Sequence, residues 1–400
     1  MSNEESPREA SGRLRRSVMV PDVSSQPLGS NAPERVRVLL IDDSAFVRRS
    51  VGRLLAEAGL TVVGPARNAA AATALLQTRM VDIVVLDVDS PHGASLSALR
   101  AIQKQSPSLP VIVFGEALRP GAAATLEALL VGACDYVHKP SGNEAVLAVA
   151  RTQLLPKVAQ HARAAGAVGA PERTDGERPG TLTESPAAES PHIETASTAA
   201  TPSLAAATRG TIRLVVVGVS TGGPQTLLAL LSAMPARFPV PIVIVQHMLP
   251  AFLPPLAERL SARTPLAVRI AEENAALHES PCWLAPGGRH LRLTGSAEHP
   301  RLALDDGPPV NSCRPAADCL FRSAADVFGP GVLGVVLTGM GRDGTTGAEA
   351  IVAAGGEVFA QDEASSVVDG MPRSVRRAGL ASRVLSLDEF PTALIDRVAQ

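Results

Sequence analysis

The segment Gly218-Val219-Ser220-Thr221-Gly222-Gly223 follows directly on the apolar run Leu214-Val215-Val216-Val217, and a helical pattern starts just after it. A serine on a strand-to-helix turn, with glycines two before and two after, matches the pattern that lifts a nucleophilic hydroxyl clear of a sheet. Helix-start N–H groups face the same space and can hold a developing oxyanion. The same turn also suits a phosphate, or no ligand at all. A serine nucleophile needs a base and an orienting acid. Gln246-His247-Met248 follows the apolar run 242–245, and Thr338-Gly339-Met340-Gly341-Arg342-Asp343-Gly344 follows the run 332–337. Ser220, His247 and Asp343 therefore each lie just past a strand end. His290, in Pro286-Gly287-Gly288-Arg289-His290, is the rival base; its place inside or before a short strand pattern reads as structural or substrate-facing.

A second constellation lies upstream. Asp42 and Asp43 follow one apolar run, Asp87 ends another, and Lys139 lies just beyond a third. Three carboxylates brought together repel one another and favour a hard divalent cation such as Mg²⁺. A lysine opposite supplies a point charge for phosphate.

Both sets depend on the same kind of scaffold. Strands are expected at 36–41, 61–64, 83–86, 111–114 and 135–137, separated by helical patterns such as 45–58 and 122–131. A second series has its clearest strands at 214–217, 242–245, 268–270 and 332–337. Uninterrupted Val/Ile/Leu runs predict strands buried on both faces, so each block is an α/β fold with a doubly wound parallel sheet. Such sheets gather active groups at the carboxyl ends of their strands. Residues 1–34, and 159–210 with Pro171, Pro179, Pro186, Pro191 and Pro202, are polar and predict a disordered extension and a flexible linker. The globular blocks are then 35–158 and 211–400.

Bulk composition excludes several classes. With 400 residues, a formal net charge of -2 and 2% aromatic residues, the chain is neither a general nucleic-acid binder nor a base-stacking one. Cys134, Cys282, Cys313 and Cys319 form no C-x-x-C pair and read as reduced, mostly buried thiols of a cytoplasmic protein. The charged start lacks the apolar core of a signal peptide, and no apolar run is long enough to predict a membrane span.

Chain order Ser, His, Asp differs from the α/β-hydrolase, chymotrypsin and subtilisin orders. Residues 218–223, Gln246-His247-Met248, Ala285-Pro286-Gly287, Asp306-Gly307-Pro308-Pro309-Val310-Asn311, 337–344 and Glu363-Ala364-Ser365 together resemble the chemotaxis protein-glutamate methylesterase/protein-glutamine glutaminase family. The first block resembles the flavodoxin-like receiver domain of bacterial response regulators, and receiver, linker, esterase is that family's layout. The resemblance implies a serine hydrolase that demethylates glutamyl γ-methyl esters of methyl-accepting chemoreceptors and deamidates their glutamines without a cofactor. It implies Ser220 as nucleophile, His247 as general base and acid, Asp343 as orienter, Thr221 beside the nucleophile and the Met340 N–H as oxyanion donor. Asn311 and Arg314 are read as architecture around the site. In the receiver it implies Asp87 as phosphoacceptor from a histidine kinase, with Asp43, Asp87 and the Asp89 carbonyl on Mg²⁺. Asp42 and Lys139 assist there, and Tyr136 is the switch aromatic. Two departures stand out. Gly115 occupies the place of the family's Ser or Thr, and Val88-Asp89-Ser90-Pro91-His92-Gly93 lacks its Met-Pro and Asp-Gly pairs. Two alternatives follow: a constitutive esterase whose receiver is a docking module, or a non-catalytic signalling scaffold.

Overall fold

The computed structural model describes residues 35–89, 94–115, 121–164 and 210–400. The expected extension at 1–34, most of the expected linker and the loop residues Ser90–Gly93 lie outside these.

The first sheet comprises β1 (Arg37–Ile41), β2 (Thr61–Ala66), β3 (Ile83–Leu86), β4 (Val111–Gly115) and β5 (Asp135–His138). Its order is β2-β1-β3-β4-β5, every pairing parallel. Between them run α1 (Ala45–Glu57), α2 (Ala69–Thr78), α3 (Ala94–Gln105) and α4 (Gly121–Val131). Side-chain caps start the first two helices: Ser44 accepts from the Val47 N–H and Asn68 from the Ala71 N–H. After β5 a helix runs as α5 (Asn143–Val149), a π-helical turn (Ala150–Leu154) and α6 (Leu155–Ala164). Helix α6 thus carries ordered structure past residue 158, where the sequence alone predicts the linker to begin, because Val158, His161 and Ala162 are buried against the sheet.

The second sheet has seven strands: β6 (Leu214–Val219), β7 (Ile242–Gln246), β8 (Val268–Ile270), β9 (Cys282–Leu284), β12 (Val332–Val336), β13 (Glu357–Gln361) and β14 (Arg383–Leu385). The order is β14-β13-β12-β6-β7-β9-β8, again parallel throughout. Helices α7 (Gly223–Ser232), α8 (Leu253–Arg263), α9 (Ala317–Phe328), α10 (Thr345–Ala353), α11 (Met371–Arg377) and α12 (Phe390–Val398) cover its faces. An antiparallel hairpin of β10 (His290–Ser296) and β11 (His299–Asp305), of which the sequence shows only the short strand pattern at His290, packs beside α9. All six residues of β6 are buried, as a strand central to a two-faced sheet requires. The strand order reverses between β6 and β12, which opens a crevice at their carboxyl ends, with β7 beside β6.

The two sheets meet through a packed interface. Leu126 and Leu130 of α4 join the apolar cluster formed by α7, α8 and the second sheet. Glu127 pairs with Arg259 and Arg263 of α8. Tyr136 of β5 meets Phe252 edge-on, ring centroids 4.9 Å apart, and its hydroxyl bonds the Leu249 backbone. An edge-on aromatic pair contributes about 0.5–1.5 kcal/mol beyond burial. A double-mutant cycle of Tyr136→Ala and Phe252→Ala, read by chemical denaturation, is expected to return a coupling in that range; additive losses would show that the rings act independently.

Candidate active site

Three strand ends meet in this crevice. The Ser220 N–H donates to the Thr338 carbonyl (3.0 Å), and the His247 N–H to the Val219 carbonyl (3.0 Å). The turn after β6 is tight: Gly222 has φ +77°, and a Cβ there would sit 2.6 Å from Val367 Cγ2. Gly218 serves a different need, since it lies in β6 and a Cβ would come within 2.8 Å of Ala317 Cβ. The Gln246 side chain spans the centre. Its Nε2 donates to the Ser220 carbonyl (2.9 Å) and the His247 carbonyl (3.0 Å), tying the two turns together. Gly223 must lack a side chain because a Cβ would collide with Gln246 Oε1.

The buried Asp343 carboxylate accepts from four donors. These are His247 Nε2 (2.8 Å), Asn311 Nδ2 (3.0 Å) and the N–H groups of Ala317 (2.5 Å) and Asp318 (3.2 Å). The last two open α9, so the positive end of a helix faces the anion. Burial works to raise the Asp343 pKa, but the His247 contact, the Ala317 N–H and Asn311 outweigh it and hold the acid below its ordinary value. Burial likewise disfavours charge on His247, yet the Asp343 hydrogen bond and Cys313 raise its pKa to about 9. A carboxylate can only accept, so Nε2 carries the proton and Nδ1 is the nitrogen that exchanges protons with a nucleophile.

Ser220 and His247 line one cleft of about 190 Å³ with Thr221, Gly222, Pro224, Gln246 and Met248. Among the described residues no direct hydrogen bond joins the Ser220 hydroxyl to His247. The Cys313 sulfur stands 3.6 Å from Nδ1 instead. From across the interface Cys134, Asp135, Tyr136 and Lys157 roof the cleft, and the Gly222 N–H donates to the Cys134 carbonyl (3.0 Å). A receiver main-chain oxygen thus occupies a donor two residues from Ser220. Met340 is 56% exposed beyond β12, and its N–H has no acceptor among the described residues. His290, the rival base, is buried away from the cleft, its ring held between the Pro308 carbonyl (3.0 Å) and the Ala316 N–H (3.2 Å). Arg314 holds the Asp306 and Gly307 carbonyls, while Asn311 touches the acid itself. Neither the closeness of Cys313 to the His–Asp pair nor that of Lys157, near the start of α6, to the cleft has a signal in the sequence.

The upstream carboxylates also converge. Oxygens of Asp42, Asp43 and Asp87 lie within 4.8 Å of one another, and Lys139 Nζ bridges Asp42 Oδ2 (2.9 Å) and Asp87 Oδ1 (3.0 Å). Burial and the neighbouring charge of Asp87 raise the Asp42 pKa despite Lys139. Burial opposes the Lys139 charge, but Asp87 and Asp42 outweigh it and raise its pKa. Crowded oxygen donors with one acid under electrostatic pressure fit a hard divalent cation. At Gly115 a Cβ would sit 2.5 Å from Val88 Cγ2, so Val88 fills the room that a serine or threonine would need.

The raised His247 pKa sets a sign for pH dependence. Only the neutral ring can take a proton, so basal hydrolysis by the unphosphorylated chain is expected to rise as pH increases through a midpoint near 9. Cys313 and Asp343 face the ring, with Lys157 and Asp135 lining the same cleft. Asp343→Asn is expected to move the midpoint of kcat/KM down toward the ordinary imidazole value and to lower kcat by about 10²–10⁴-fold. An unchanged midpoint in the pH–rate profile would disconnect Asp343 from His247.

Residues 215–394 match the family described as CheB methylesterase, and residues 38–151 the response regulator receiver domain. A protein-glutamate methylesterase/protein-glutamine glutaminase of Trichodesmium erythraeum (strain IMS101) is 39% identical over 371 residues, covering 91% of this chain and 99% of that protein. One of Nocardioides sp. (strain ATCC BAA-499 / JS614) is 41% identical over 369 residues, covering 91% and 96%. The crystal structure of the Thermotoga maritima CheB methylesterase catalytic domain is 39% identical, with a TM-score of 0.45, and covers 47% of this chain and 99% of that one. Identity at this level along almost the whole of two full-length relatives means that the chain belongs to the protein-glutamate methylesterase/protein-glutamine glutaminase family.

Proposed function

We propose that this chain hydrolyses glutamyl γ-methyl esters on methyl-accepting chemoreceptors, and deamidates receptor glutamines, under control of its receiver. The observation that carries the reading is a histidine fixed by a helix-bound carboxylate in the cleft that holds the glycine-flanked serine. Ser220, giving its proton to His247 Nδ1, attacks the ester carbonyl. The oxyanion is held by the Met340 N–H, with Thr221 beside the nucleophile. His247 then protonates the departing methoxide, and methanol leaves. Water, deprotonated by the same nitrogen, releases glutamate and returns the proton to Ser220. A glutamine passes through the same acyl-enzyme and loses ammonia.

The domain reading is a receiver at 35–158 and a catalytic domain at 211–400, with 1–34 an extension and 159–210 a linker, in a cytoplasmic protein. No helix among the described residues is long and apolar enough to cross a membrane. Asp87 accepts the phosphoryl group from a histidine kinase. Asp43 and Asp87 would hold Mg²⁺, with Asp42 assisting; the cation would neutralise the incoming phosphoryl charge. Lys139, already bridging Asp42 and Asp87, is placed to pair with the acyl phosphate. Breaking that bridge is a local change next to β5, whose Tyr136, with Cys134 just before the strand, covers the cleft. The roofed cleft supports control by undocking over a constitutive esterase.

The test is methanol release from methylated receptor by the full chain, with and without a small-molecule phosphodonor and Mg²⁺. Release is expected to rise with phosphodonor and to vanish in Ser220→Ala. No release by the wild-type chain would sink the esterase reading, and equal release once Asp87 is phosphorylated would retire the gating. Because Glu127 anchors the receiver to arginines that stay in reach of solvent, Glu127→Ala is expected to raise the unphosphorylated rate only about two- to fivefold. Added salt should act in the same direction, and a rate that ignores both would place the docking energy elsewhere.

A further inference from the structure

A partly buried ion pair, Asp369 with Arg376, takes no part in the reaction proposed above. Asp369, in the segment between β13 and α11, receives a two-pronged bond from Arg376: Nη1 to Oδ1 at 2.7 Å and Nη2 to Oδ2 at 2.6 Å. Arg373 Nε adds a third bond at 3.2 Å, and Arg376 Nη1 also holds the Gln361 carbonyl (2.7 Å). Asp369 is only 8% exposed. A planar guanidinium fork fixes a carboxylate in direction as well as distance.

The main chain on both sides of Asp369 grips the turn after β12. The Val368 N–H donates to Thr338 Oγ1 (2.9 Å), whose hydroxyl in turn donates to the Thr221 carbonyl (2.9 Å). The Gly339 N–H donates to the Val368 carbonyl (2.9 Å), and the Gly339 carbonyl accepts from the Gly370 (3.0 Å) and Met371 (2.9 Å) N–H groups. The carbonyl of Gly339 and the N–H of Met340 belong to one planar trans peptide, so they point in opposite directions. Holding the carbonyl from behind therefore aims the Met340 N–H forward. Gly339 is also pressed against the nucleophile, since a Cβ on it would sit 2.7 Å from Ser220 Cβ.

We infer that Asp369 and Arg376 form a positioning unit that aims the Met340 N–H at the oxyanion, with Thr338 linking it to the serine turn. The inference rests on the proposed roles of Ser220 and Met340. Neither charged residue touches substrate; they act through the Gly339–Met340 peptide. Misaiming a donor should cost less than removing one, which typically lowers kcat by about 10²–10³-fold.

The test uses phosphodonor-treated full chain carrying Asp369→Asn, Arg376→Met or Arg376→Lys. For Asp369→Asn and Arg376→Met, kcat is expected to fall about tenfold to hundredfold with KM within about twofold of wild type. Labelling of Ser220 by a fluorophosphonate should slow in the same proportion, because its phosphoryl oxygen needs the same N–H. Arg376→Lys, which keeps the charge but not the fork, should recover part of both rates. Unchanged kcat and labelling in folded variants would overturn the inference, as would losses carried by KM alone. Should Asp369→Asn fail to fold, the Arg376→Met and Arg376→Lys pair decides. A wild type that labels at Ser220 yet releases no methanol would sink the receptor-esterase reading while the labelling ratios still judge the positioning unit.

Discussion

The carboxylate of Asp343 is the joint on which the site depends. It draws together the loop after β12, the start of α9, Asn311 and the His247 ring, and each contact serves the others. A buried carboxylate without partners would take up a proton and lose its orienting power. Helix-start N–H groups and Asn311 keep it ionised, so it can hold Nε2 and turn Nδ1 toward Cys313. Asn311 also bonds Asp318, whose carboxylate in turn receives the Gly347 N–H of α10. The acid is thereby built into two helices, and the base inherits their rigidity. Ser220 is tied to the same frame by backbone and by Gln246.

The receiver meets this frame by a main-chain hydrogen bond as well as by bulk. Its Cys134 carbonyl takes the Gly222 N–H, while Tyr136, Lys157 and Asp135 close the opening. Contact also runs the other way, since Met248 packs against an apolar cluster of the receiver. The interface is therefore continuous with both cores. Inside the receiver, Val88 and Gly115 form a matched pair of a larger and an absent side chain. A hydroxyl introduced at Gly115 alone would meet Val88, so the missing switch hydroxyl is built into the packing of this chain rather than left as a gap.

Much of this was legible in the sequence, for physical reasons. Apolar Val/Ile/Leu runs of four to six residues with no alternation, bounded by turn residues, favour two-face-buried strands, and side chains just past their ends gather at one crevice. That logic points Ser220, His247 and Asp343 to one crevice, and likewise Asp42, Asp43, Asp87 and Lys139, while the family resemblance decides between His247 and His290. The glycine-flanked pattern does not say that Gly218 gives clearance to Ala317, because periodicity carries no information on what packs against a strand. The β10–β11 hairpin escaped because its residues are half exposed and leave no buried run. Gln246, Cys313 and Asp369 escaped because their contacts join segments far apart in sequence, and pairing of that kind is decided by tertiary packing.

The central claim is that His247 is a base whose Nε2 proton is held by an ionised Asp343. Nitrogen-15 NMR of imidazole-labelled, unphosphorylated full chain, titrated with pH, reads it directly. The account predicts one ring with a midpoint near 9 that retains its proton on Nε2 when neutral, and that loses this behaviour in Asp343→Asn. A His247 ring titrating at the ordinary imidazole value, or carrying its neutral proton on Nδ1, would contradict it.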